Sequence, residues 1–155
     1  MNARKVLPFI VCVIAIGCAS QEREFSELRV FLDERQSLEI PDAFGLSQKL
    51  KPLWVRDKAS IRFLKTKLEA PDVHDRIAAY LAIEELVAQV RSNPSREGTQ
   101  ILAEIDLQSV YDRFDKFDSS NLSENWRLWF TETHRMMKKN LGSRDSDGPA
   151  SELAH

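Results

Sequence analysis

Apolar residues recur at three- and four-residue spacing along most of this chain, and no stretch sustains the apolar/polar alternation of a half-buried strand. That pattern restricts the chain to helices. Leu107, Val110, Tyr111, Phe114 and Phe117 share one helical face, and Trp126, Trp129, Phe130, Thr133 and Met137 share another. Both stripes are read as core, because burial between packed helices explains aromatic residues at this spacing without invoking a ligand. Only 5 glycines and 6 prolines punctuate the sequence, too few for the turns of a many-stranded sheet. The expected fold is all-α: a compact domain of five to six helices, over about 24–38, 46–56, 58–69, 72–91, 97–118 with a break near Asp106, and 122–141.

The joints carry turn and cap chemistry. Pro41 and Gly45 punctuate the first loop, and Asn93-Pro94-Ser95 the loop before the fifth helix. Asn121, with Glu124 three residues on, suits a capping box, and Gly142 closes the last helix. The segment from Ser143 to His155 is rich in Ser, Asp, Gly and Pro without periodicity and is expected to be a disordered tail.

The N-terminal segment has a different character. Arg4 and Lys5 precede an almost unbroken apolar run from Val6 to Gly17, about twelve residues where a membrane-spanning helix needs ~20. Gln21-Glu22-Arg23-Glu24 follows, so the run cannot be extended. A short positive start, a short apolar run and small residues at its end are the parts of an export signal.

Ala15-Ile16-Gly17-Cys18 resembles the lipobox of bacterial lipoproteins, with Ala15 where that family usually has leucine. The resemblance covers the first twenty residues. It implies cleavage before Cys18, lipidation of that thiol with diacyl and palmitate-type chains, and a lipid-anchored protein of the cell envelope. Ala19 and Ser20 differ from the aspartate that holds some enteric lipoproteins in the inner membrane, which implies an outer-membrane destination facing the periplasm. Ordinary cleavage after Ala19 is the alternative, and it would release a chain without cysteine. The expected organisation is a signal peptide at 1–17, a tether at 18–23, a helical domain at 24–142 and the tail at 143–155. At ~3.5 Å per extended residue, such a tether keeps the domain within roughly 20 Å of the bilayer.

Loss of residues 1–17 removes Arg4 and Lys5 and no acid, so Lys+Arg falls from 22 to 20 against Asp+Glu 24, a formal charge of −4. A mildly acidic domain lacks the basic surface that nucleic-acid binding requires. Cys12 leaves with the signal and Cys18 would carry lipid, so the fold stands on packing without disulfides. About 138 residues suit one domain with one core.

Ile61, Leu64 and Leu68 line one helix that stops at Ala70-Pro71. Asp72 can cap a second helix in which Asp75 occupies the first turn and Ala78, Ala79, Ala82, Ile83 and Leu86 form a face of mostly small residues. This αα-hairpin resembles a single HEAT repeat over about 60–87. Pro71, Asp72, Arg76, Ala78, Ala79, Ala82, Glu85 and Leu86 match that family's second-helix pattern in register. Asp75 stands where the family has valine and Glu84 where it often has glycine, and no second good copy is found, although repeat folds need about three units. The resemblance implies a protein-binding scaffold. Convergence of a capped, alanine-rich hairpin on the same pattern is the alternative.

Charge is uneven. Lys49, Lys51, Arg56, Lys58, Arg62, Lys65 and Lys67 face only Asp57 within 49–67, and the following helices are acidic. The basic residues can dock on anionic headgroups, at about 1 kcal/mol each. They can equally pair with neighbouring acidic helices, and this plainer reading is preferred.

No phosphate-binding loop, zinc-protease motif, nucleophile elbow or cysteine cluster is present, and no metal or cofactor is expected. His74 beside Asp72 and Asp75 is the one candidate for an unrecognised acid/base or metal site, and it is read first as an exposed helix cap. Asp112, Asp115 and Asp118 alternate with Arg113 and Lys116 and read as a solvated face, and His134 is placed on the polar side of the last helix. The expected function is a membrane-anchored envelope lipoprotein acting as a non-catalytic protein-binding or assembly factor, with a protein partner in the envelope. The alternative is a periplasmic enzyme or enzyme subunit with a carboxylate/His site.

Overall fold

A computed structural model of the chain describes the backbone of residues 7–34, 48–50 and 58–142, with side chains from Ser20 onward apart from those of Lys58 and Glu97. The fold is all-α, as the spacing of apolar residues predicts. Its helices are α1 (Leu7–Glu34), α2 (Lys58–Leu68), α3 (Val73–Ser92), α4 (Arg96–Leu102), α5 (Leu107–Asp115) and α6 (Glu124–Gly142). Residues 48–50 are also helical, and Leu50 is fully buried. The remainder of the expected 46–56 helix, the Pro41–Gly45 loop and the expected tail lie outside the described residues. No helix among the described residues is long and apolar enough to cross a membrane.

α3 is the centre. Its residues 77–84 are all buried, so the small-residue face expected from Ala78, Ala79 and Ala82 is part of a helix packed all round. Alanines let neighbouring backbones come close, and the larger Ile77, Tyr80 and Ile83 fill the gaps between them. α2 joins α3 through a turn in which the Glu69 and Ala70 amides donate back to the Thr66 and Lys67 carbonyls, both at 3.1 Å. Pro71 cannot prolong α2, and the Asp72 side chain accepts the His74 amide at 2.8 Å to start α3, as its position predicts.

α6 lies along α3 in the same direction. His74 meets Trp126, Tyr80 meets His134, and Glu84 meets Asn140, so numbers rise together on both helices. The α6 stripe of Trp126, Trp129, Phe130, Thr133 and Met137 is buried as expected. Of the α5 stripe only Phe114 is fully buried; Leu107, Val110, Tyr111 and Phe117 pack half-buried at the edge of the core.

Two boundaries differ from the sequence reading for local reasons. The break expected near Asp106 is a full interruption: Ile105 turns into the core and Asp106 caps α5, accepting the Ser109 amide at 3.0 Å. α6 starts after Ser123, which faces the Trp126 amide at 3.5 Å, and Asn121 does not cap it. Leu122 is drawn into the core by a turn from Ser119, which leaves Asn121 too early to reach the helix's first amides.

α1 departs most from expectation. It runs without interruption through residues 18–23, expected as a tether, because no proline breaks it and its side chains find partners there. The Gln21 amide donates to the Ser60 hydroxyl at 3.1 Å, and Glu22 accepts Lys67 at 2.8 Å. Near Glu34, the last described residue of α1, α6 supplies donors to its backbone carbonyls. Asn125 donates to the Leu32 and Asp33 carbonyls, and the Trp129 indole N–H donates to the Leu32 carbonyl at 3.1 Å.

Gly98 of α4 lies close against Val90 of α3. A Cβ there would stand 2.9 Å from Val90 Cγ2 and 3.0 Å from Ser95 Oγ. Helix propensity alone would make Gly98→Ala stabilising by about 1 kcal/mol. At 2.9 Å the stiff valine has to shift, so we expect the substitution to destabilise the chain by about 1 kcal/mol in urea unfolding.

Candidate functional site

The structure places some of the candidates, while the Cys18 side chain lies outside the described residues. Among the basic residues, Lys49 pairs with Glu27 on α1 at 3.1 Å. Lys67 pairs with Glu22 at 2.8 Å and lies 3.8 Å from Asp75, with the Phe25 and Phe63 rings beneath its ammonium. Lys65 donates to the Glu104 carbonyl at 3.3 Å, and Arg62 is exposed on α2. Lys51, Arg56 and the Lys58 side chain lie outside the described residues. Two of the four described cations therefore pair with acids on neighbouring elements.

His74, Asp72 and Asp75 come together at the start of α3, and Arg29 of α1 occupies the centre of the group. Arg29 binds Asp75 and, at 3.1 Å, Asp72, with its guanidinium 5.5 Å above the Trp126 ring. Partial burial works against the charged form of Asp72, but the His74 amide and Arg29 outweigh it and hold the carboxyl below its ordinary value. His74 rests against Trp126 with ring centroids 4.8 Å apart. The carboxylates are thus turned to cations of the fold, and no group of three metal-binding side chains occurs among the described residues. This arrangement clamps α1, α3 and α6.

His134 is not on the polar side of α6. It is half-buried, with Tyr80 Oη 3.1 Å from Nδ1, Asp115 Oδ1 3.3 Å from Nε2, and Tyr111 stacked on the ring at 4.6 Å. A carboxylate only accepts, so Nε2 carries the proton of the neutral ring and Tyr80 donates to Nδ1. The Asp115–His134–Tyr80 order looks like an acid–base relay. However, Tyr80 is fully buried and burial pushes its phenol far above the usual value, so the hydroxyl keeps its proton. Its chemistry here is to tie α3, α5 and α6 together. Glutamate, arginine and lysine neighbours of His134 had suggested an exposed ring; the aromatic residues on α3 and α5 draw it inward.

Glu84 stands in the sequence only as a departure from the HEAT pattern. It is 7% exposed between α3 and α6, beside a pocket of about 70 Å³ lined by Glu85, Trp129, Glu132 and Thr133. Asn140 donates to it at 2.9 Å, while Arg135 is taken up by Glu132. Burial first, then Glu85, pushes its carboxyl from 4.5 up to about 7. A helix-wheel reading that gives α3 a wet side cannot find this residue, because α3 has no wet side there.

Another cavity lies elsewhere. A cleft of about 640 Å³ opens where α3 and α6 end, closed below by α4 and the start of α5. Val87, Val90, Leu102, Ile105, Leu107 and Leu141 give it an aliphatic floor, and Arg91, Thr99, Asp106 and Gln108 its polar rim. That volume is in the range of small-molecule and side-chain pockets, ~300–1,000 Å³. Sequence reading passed over it because its lining comes from four separated helix ends. Compared with known proteins, the chain matches no family model, no curated protein and no solved structure. Function has to be argued from these sites alone.

Proposed function

We propose that the protein is a cell-envelope lipoprotein, anchored through lipid on Cys18, that works as a non-catalytic binding or assembly factor held against the membrane. The reading of residues 1–20 supplies the anchor, and one structural observation bears on what it does. Among the described side chains, α1 is already packed on α2 at Gln21, three residues after Cys18. A lipid on Cys18 would then have almost no slack, and two acyl chains, at about 0.8 kcal/mol per buried methylene, suffice for stable attachment. The domain would sit with the part of α1 that follows Cys18 at the bilayer, so its partner is itself in the membrane or comes to it.

The non-catalytic part is supported by the acid and histidine clusters, whose polar groups face cations, amides and rings of the fold. The αα-hairpin of α2 and α3 remains compatible with a binding scaffold of the HEAT type, a reading that rests on the matched residues alone. The outer membrane, facing the periplasm, is the proposed location.

Cross-linking in intact cells that express the tagged chain tests this directly. A specific protein partner recovered from the membrane fraction, and lost with Cys18→Ala, is the expected result. Full retention of Cys18→Ala in the membrane fraction would overturn the anchor, and capture of the same partner by an unanchored chain would overturn the need for it.

A further inference from the structure

We infer that the cleft at the ends of α3 and α6 binds a single-chain aliphatic amphiphile with a carboxylate head, the chain lying on the aliphatic floor and the head on Arg91. The inference deepens the binding-module reading and does not depend on the anchor.

Three observations carry it. The floor is built from Val87, Val90, Leu102, Ile105, Leu107 and Leu141, with no aromatic residue, although the rest of the core is rich in them. Branched aliphatic walls without ring faces suit a flexible hydrocarbon chain better than a planar ligand. The volume of about 640 Å³ leaves room for such a chain. Third, the rim is charged unequally in effect. Asp106 lends its carboxylate to the Ser109 amide at the head of α5, and its charge is complemented there. Arg91 is half-buried at the cleft and, among the described residues, has neither an ion-pair nor a hydrogen-bond partner for its side chain. The arginines at 29, 113 and 135 each hold a carboxylate. Thr99 and Gln108 flank the rim; both already have internal bonds, to the Ser95 carbonyl and to Asp112. The position left for an incoming anion is therefore at Arg91, where a planar guanidinium can take both carboxylate oxygens.

The test is calorimetric titration of the purified full chain with dodecanoate below its micelle concentration, alongside dodecanol and a short peptide ending in Leu-Leu. Arg91→Gln removes the charge, and Ala103→Trp fills the cleft from its wall with the arginine kept. Thermal melts confirm that each variant is folded. Saturable dodecanoate binding is expected, weakened about tenfold or more by Arg91→Gln and abolished by Ala103→Trp. Dodecanol should bind more weakly than dodecanoate to the parent chain and equally well to parent and Arg91→Gln. Absence of saturable binding, or binding insensitive to both substitutions, would overturn the assignment, the latter placing the ligand outside the cleft. Tighter binding of the peptide than of dodecanoate would assign the cleft to a protein segment instead. None of these outcomes touches the fate of Cys18, so the anchor stands or falls separately.

Discussion

Trp129→Ala is expected to lower the unfolding free energy by about 4 kcal/mol, the largest single-residue effect in the described fold. Trp129 is 1% exposed and is the largest fully buried side chain. Its ring fills the space where α1, α3 and α6 meet, and its indole N–H caps the Leu32 carbonyl at the end of α1. Truncation removes most of a large apolar surface and leaves a cavity that helices on three sides cannot all close. Trp129→Phe separates the two contributions: the apolar bulk is mostly kept, the donor is lost, and a cost of about 2 kcal/mol is expected. Urea unfolding followed by circular dichroism measures both. A loss below about 1 kcal/mol for Trp129→Ala would mean that α1 and α6 are not packed as described.

Glu84→Gln has the opposite sign. The Glu84 carboxyl titrates at about 7 in the fold against 4.5 in the unfolded chain, so the folded state holds a proton that the unfolded chain releases. The stability linked to that proton is fully present below about pH 4.5 and is lost as pH rises through about 7. At 1.36 kcal/mol per unit of pKa, the loss amounts to about 3 kcal/mol. Glutamine keeps an oxygen for the Asn140 amide and carries no charge to bury. The variant is therefore expected to unfold at higher urea than the parent chain at pH 8, with the difference shrinking towards zero by about pH 5. The comparison matters more than either curve, because the stability that Asp72 gains from its depressed carboxyl is lost in acid in both chains and cancels. A difference that does not change with pH would show that Glu84 is ionised and solvated throughout.

These two residues show how far the sequence could be read. Trp129 was legible: it recurs with Trp126, Phe130, Thr133 and Met137 at a spacing that only one buried helical face explains. The turn at Pro71 and the Asp72 cap were legible for the same reason, since both are fixed by neighbours in the chain. Glu84 was not, because its burial depends on α3 being enclosed by helices from both ends of the sequence. His134 moved from surface to half-buried on contacts with Tyr80, 54 positions away, and Tyr111. The Arg91 cleft is assembled from the ends of α3, α4, α5 and α6, none of which carries a motif. The continuity of α1 through residues 18–23 also escaped, because the partners of Gln21 and Glu22 lie on α2. Local chemistry wrote the helices and their caps; the site chemistry depends on which helix ends tertiary packing brings together.

Mass spectrometry of the mature N-terminal peptide from the membrane fraction measures the state of Cys18 most directly. The expected species begins at Cys18 and carries the added mass of a diacylglyceryl group, with or without a third acyl chain on its amine. A peptide beginning at Ser20, or Cys18 recovered unmodified inside an uncleaved chain, would contradict the anchor and the placement of the domain at the membrane.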